Sequence, residues 1–222
     1  MLELHTLGAE VSRDPTRPGG YTQADVTAFA QVLTGWTSVD DPRSDSPTRF
    51  EARRHQPGPK TVLGRVYPQG PQALDQVLED RALHPATAQH LARRLARHVL
   101  ADGPPPALVA RLRQAYLDSG GDLRALHGAL VQAPEAWAAP QRKLKTPQEH
   151  ALSCARLLGL DVRWLNPPAD GGIGTMGQQL MRAPSPAGWP DGADDWLAPD
   201  GVWKRIEWTQ RLAARFGEGM DA

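Results

Sequence analysis

Four side chains in this sequence have types and spacing that could do chemistry. His55 and Lys60 bracket the run Gln56-Pro57-Gly58-Pro59. A turn there can present an imidazole and an ammonium side by side to an anionic substrate. Imidazole titrates near neutrality, which suits acid–base work. No nucleophile lies close in sequence, however, and a hairpin turn with a solvated Lys60 explains the same residues more simply. The other pair is Trp189 and Asp191. Five of the seven tryptophans, at 164, 189, 196, 203 and 208, fall in one stretch. Indole faces on a Pro/Gly-stiffened loop can stack on a sugar ring or hold a partner's apolar anchor. The plainer reading is that they staple the loop onto a helical core by burying large areas.

Other chemistries find little support. Seven histidines invite a metal, but Glu3 with His5 and His84 with His90 are spaced i+2 and i+6, which do not share a helix face. No His-Glu-x-x-His or Gly-x-Ser-x-Gly word occurs. The single cysteine, Cys154, sits among Leu152 and Ala155 in a helical pattern, where a buried structural thiol is expected rather than a nucleophile. Gly171-Gly172-Ile173-Gly174 lacks the lysine of a phosphate loop. No metal and no cofactor is expected.

The elements that must position these groups are mostly helices. Residues 1–8 read as the tail of one, stopped by Gly8. Thr22 and Asp25 have capping-box spacing ahead of Val26, Phe29 and Leu33. Two short strands, 49–55 and 61–66, are expected to flank the 56–60 turn as one small hairpin. From 71 to 160 helical patterns follow one another, opened by Pro71, Pro85, Pro104–Pro106, Asp122 and Pro147. Short connections imply antiparallel neighbours. Residues 161–198 are dense in Pro, Gly and Trp and read as a cover loop, and a final helix occupies 199–222. The expectation is an all-α, antiparallel multi-helix bundle with one small hairpin, forming a single domain over 1–222.

Acids and bases balance at 25 each, which removes any global electrostatic case for nucleic acid. No apolar run approaches the roughly 20 residues that span a bilayer, and the first six residues lack the basic start and apolar core of a signal peptide.

Several words occur in a recognisable order: Leu2-Glu3-Leu4-His5-Thr6-Leu7-Gly8, Tyr21-Thr22-Gln23-Ala24-Asp25-Val26, Leu33-Thr34-Gly35-Trp36, His84-Pro85-Ala86-Thr87-Ala88, Gly120-Gly121-Asp122-Leu123-Arg124 and Pro184 through Gly192. With them the chain resembles the bacterial family catalogued as domain of unknown function 1800. Trp36, within the third word, joins His55, Lys60, Trp189 and Asp191 as a candidate ligand- or partner-contact residue. The resemblance implies that members are longer, with these words in their C-terminal half, so the chain is expected to be a fragment or late start. It also implies frequent export to the periplasm or beyond, and a sulfatase-like family as frequent genomic neighbour. Members tend to carry an acid after the histidine of the turn, and Gln56 replaces it here. Two functions follow as expectations. One is a binding or assembly module of an exported protein, working with the missing half or the sulfatase-like partner. The other is a hydrolase acting on a glycan or other polymer, with a pocket where Trp189, Asp191 and His55 or Lys60 converge.

Overall fold

The structure, a computed structural model, describes residues 2–12, 20–39, 46–138, 143–161 and 172–217. Trp164, Gly171 and the Asn166-Pro167-Pro168 run of the expected cover loop lie outside them. The chain divides into two compact units, residues 1–96 with 105–139, and residues 97–104 with 140–222.

The first unit begins with a π-helical turn, Leu2–Thr6, and the short α1, Ala9–Ser12. Helix α2, Gln23–Leu33, starts on the expected capping box, in which Thr22 and Asp25 each accept from the other's backbone N–H. Strand β1, Trp36–Ser38, pairs antiparallel with β2, Thr48–Phe50, and β3, Lys60–Val62, with β4, Arg65–Tyr67. Helices α3, Gln72–Ala82, and α4, Pro85–Val99, follow, then α5, Pro106–Asp118, and α6, Leu123–Gln132. Helix α5 packs on α6, and α4 runs into the second unit from Arg97. Val32, Val62, Tyr67, Ala73 and Val77 are fully shielded at the centre of a core that also takes Leu2, Leu7 and Phe29.

The chain is mostly helical, as expected, but the strands pair differently. The single hairpin between 49–55 and 61–66 is replaced by two. Segment 51–55 does not stay extended, because Ala52–Arg54 coil into a 3-10 turn. Strand β3 turns back at Leu63-Gly64, both with positive φ (47° and 75°). That is the backbone of the two-residue turns that match strand twist. A leucine in this conformation is unusual, and the site supports it: Asp25 Oδ1 accepts the Leu63 N–H at 2.7 Å.

The second unit is built on α7, Pro147–Leu158, and α8, Pro199–Gly217. Thr146 and Glu149 make a second capping box, and Gly159 closes α7 at φ 64°. Between the helices lie the 3-10 turns Gly172–Met176 and Ala193–Asp195. Ile173 and Met176 of the first turn bury against Ala151 and Ala155 of α7 and Trp208 and Leu212 of α8. Among the described residues no helix is long and apolar enough to cross a membrane.

Candidate functional sites

The first unit gathers three of the five candidate residues. Thr34 ends α2, and Gly35 turns the chain at φ 89°. A Cβ there would stand 3.0 Å from both the Glu51 carbonyl oxygen and the Phe50 ring, and 3.1 Å from His55 Cβ. This close approach lets the Thr34 carbonyl accept from His55 Nδ1 at 2.7 Å. The proton therefore sits on Nδ1, and Nε2 carries the lone pair. Nε2 accepts from the Gly70 N–H at 3.3 Å and from Lys60 Nζ at 3.4 Å. Lys60 also donates to the carbonyls of Gln56 and Gly58, so its three N–H groups meet three acceptors. Both side chains are buried, at 7% and 4% exposure, and burial pulls the Lys60 ammonium below its ordinary pKa. Phe50 packs on the imidazole at 5.2 Å, and Trp36 meets Phe50 edge-on at 5.6 Å. Trp36 Nε1 is shielded without a hydrogen-bond partner. With both ring nitrogens occupied and the ammonium saturated, the arrangement fixes a loop and leaves no lone pair to take a substrate proton. Gln56 contributes its backbone and exposes its side chain.

The other two candidates lie in the second unit. Trp189 Nε1 donates to the Gln179 carbonyl at 3.2 Å, and Trp196 Nε1 to the Pro190 carbonyl at 3.0 Å. The two indoles sit 6.1 Å apart and tilted. Asp191 is held by groups that sequence spacing does not reveal. Its Oδ1 lies 3.1 Å from His98 Nδ1 and 3.2 Å from Lys143 Nζ, and its carbonyl also accepts from Lys143. The same ammonium reaches Asp102 Oδ1 at 2.8 Å, while Asp102 Oδ2 accepts the Ala193 N–H at 2.6 Å. The Lys143 hydrogen bond, then the Ala193 N–H, hold the Asp102 carboxyl below its usual range against the opposing effect of burial. One ammonium bridging two carboxylates, with a backbone N–H on the second, ties the 189–193 segment down as a latch.

A third feature was not anticipated. An open groove of about 270 Å³ is lined by His150 of α7 and by Arg205, Ile206, Thr209 and Gln210 of α8. Thr209 Oγ1 donates to the Arg205 carbonyl at 2.8 Å and lies 3.0 Å from His150 Nε2. The Trp208 ring stands edge-on to the imidazole at 5.9 Å. Burial first, then the positive charges of Arg205 and Lys145, lower the pKa of His150. Cys154 Sγ lies 3.9 Å from His150 Nε2, and burial pushes its thiol pKa up. That makes it a poor nucleophile.

The histidines of the second pairing considered for a metal, His84 and His90, have other contacts. His84 Nδ1 accepts the Ala86 N–H at 3.1 Å, and His90 packs against Gly8. Among the described residues no three His, Cys, Asp or Glu side chains gather to hold an ion.

Compared with known proteins, the chain matches the family described as protein of unknown function (DUF1800) over residues 1–222. No curated protein and no solved structure matches it.

Proposed function

The chain belongs to the DUF1800 family, whose description assigns no activity, and we propose that it is a binding or assembly module acting with a protein partner. The observation that carries this reading is the outward stripe of α8. Val202, Trp203 and Ile206 are 37%, 61% and 46% exposed. At helical spacing they fall on the side of α8 largely opposite the buried Trp208 and Leu212. Covering a large apolar side chain is worth about 1.5–3 kcal/mol, and exposed Trp is the residue most enriched where binding energy concentrates. The heads of His55 and Lys60 are spent on backbone carbonyls and on each other, and those of Asp102 and Asp191 on Lys143, which supports the same reading.

The family resemblance supplies two partners to try, the N-terminal half of a longer member and the sulfatase-like protein encoded beside it. Each is titrated into the chain by calorimetry, with Trp203→Ala as the comparison. Loss of a central anchor costs about 2 kcal/mol, a roughly thirtyfold weaker affinity, with the melting temperature of the free chain unchanged. No binding by either polypeptide, or equal binding by the variant, defeats the proposal. Release of reducing sugar from a polysaccharide by the chain alone would favour the hydrolase instead.

A further inference from the structure

We infer that, until a partner arrives, the outward stripe of α8 is covered by the same stripe of a second copy of this chain, packed antiparallel. This rests on the surface that carries the module reading and gives it a regulation, because self-association and partner binding then compete. What points to a second copy is a row of charges along one flank of the stripe. Asp200, Lys204, Glu207 and Arg211 recur at helical spacing beside Trp203 and Ile206, and they alternate in sign. Glu207 and Arg211 are exposed, and the Lys204 and Asp200 side chains are 41% and 74% exposed. Reversing an alternating row of four exchanges its signs. Turned end to end against itself, the row sets Asp200 against Arg211 and Lys204 against Glu207. Both pairs are centred between Arg205 and Ile206, so one register satisfies all four charges. A closed twofold dimer has this self-complementarity, residue i meeting j while j meets i.

A parallel pair would instead set the row against the opposite flank, where Arg205 and Thr209 stand and offer no match. Contacts within one copy leave the row available. Lys204 Nζ reaches Asp200 on its own helix at 2.6 Å, and an ammonium has three N–H groups, enough to bridge a second acid. Arg211 Nε donates to the Glu207 carbonyl at 3.4 Å, while the Glu207 carboxylate has no partner among the described residues. The apolar positions fit the same register. Val202 comes level with Thr209 of the second copy, beside the groove between α7 and α8. The exposed surface of that groove is almost wholly apolar and includes Ile206. Edge charges choose the orientation of such a pair more than they strengthen it. Size sets the strength. The 19 residues of α8 make a seam about 28 Å long and about 10 Å wide. That is on the order of 300 Å² per copy, against roughly 800 Å² in a standard interface. The dimer is therefore weak, with a Kd on the order of 100 µM, and a partner can displace it.

The test is sedimentation equilibrium of the full chain from about 5 to about 500 µM, with melting temperature as the folding control. A monomer–dimer equilibrium is expected, and Trp203→Ala should weaken it about tenfold or more. Glu207→Arg sets a base against Lys204, and Lys204→Glu sets an acid against Glu207. Each should weaken self-association about tenfold. Mixed together, the two variants pair Lys204 with Glu207 on one side and Arg with Glu on the other, so the mixture should dimerise as the wild type does. A monomer throughout the range, or a dimer indifferent to Trp203→Ala, overturns the inference. So does a Glu207→Arg chain that dimerises unchanged, or a mixture no tighter than its components, since either removes the antiparallel register. In the partner titration, binding by a chain that stays monomeric removes only this inference. A dimer that binds neither polypeptide removes the partner reading and leaves this inference standing.

Discussion

Lys143→Met gives the sharpest test of the latch in the second unit. The Lys143 side chain is 11% exposed, and its ammonium sits between Asp102 and Asp191, whose side chains are 35% and 27% exposed. Removing one member of a fully buried ion pair costs about 3–5 kcal/mol. Exposed pairs contribute about 1 kcal/mol or less. This partly shielded cluster lies between, so we expect a loss of about 2–3 kcal/mol. The variant leaves two carboxylates facing each other at the 189–193 segment. Denaturant unfolding followed by fluorescence of Trp189 and Trp196 reads the change directly. The pH dependence provides a second readout. Asp102 has a lower pKa folded than unfolded, so its contribution is complete above the unfolded value near 4 and is lost as pH falls through the folded value. The Lys143 hydrogen bond is the largest cause of that shift. The acid limb below about pH 4 should therefore flatten in the variant. A loss under about 0.5 kcal/mol with an unchanged acid limb would refute the latch, since it would place Lys143 among ordinary surface charges.

Other expectations follow from the same geometry. Gly35→Ala combines a left-handed backbone with contacts near 3.0 Å to Glu51 O and Phe50, so it should lower stability by about 2 kcal/mol or more in a denaturant titration. Asp25→Ala removes acceptors for both the Thr22 and Leu63 N–H groups. A cap and a charge-assisted bond together are worth about 2 kcal/mol, visible as an early thermal transition. His150 should titrate below its ordinary value by NMR. Its unfolded form binds the proton more readily, so stability from this group is complete above about pH 6.5 and falls as pH drops through the interval below it. Cys154, with its raised thiol pKa, should react with iodoacetamide more slowly at pH 8 than a free peptide thiol does.

Much of the fold was legible because local chemistry set it. Pro85 opens α4, Asp122 caps α6, and the Thr22–Asp25 box starts α2, all within reach of a few residues. The hairpins were not legible, since Leu63 in a positive-φ turn breaks the usual Asn-Gly signature and is held by Asp25 from far away. Trp36, His55 and Lys60 do come together, but the sequence could not show that the imidazole and ammonium point at each other and at backbone carbonyls. His98, Asp102 and Lys143 lie far from Asp191 in the chain and carry no motif spacing, so only folding joins them. Arg205 and His150 carry no sequence signal either, each being one of several polar residues on an amphipathic helix.

The reach of Asp25 has a kinetic meaning. One carboxylate both launches a helix, by accepting the Thr22 N–H, and clasps a strand reversal 38 positions downstream. A starting turn of helix is costly to nucleate alone, and a closure of that span is costly too, so each event gains from the other. The amides of Thr22 and Leu63 should then exchange with deuterium at matched rates, as one cooperative unit, with the segment joining them opening earlier.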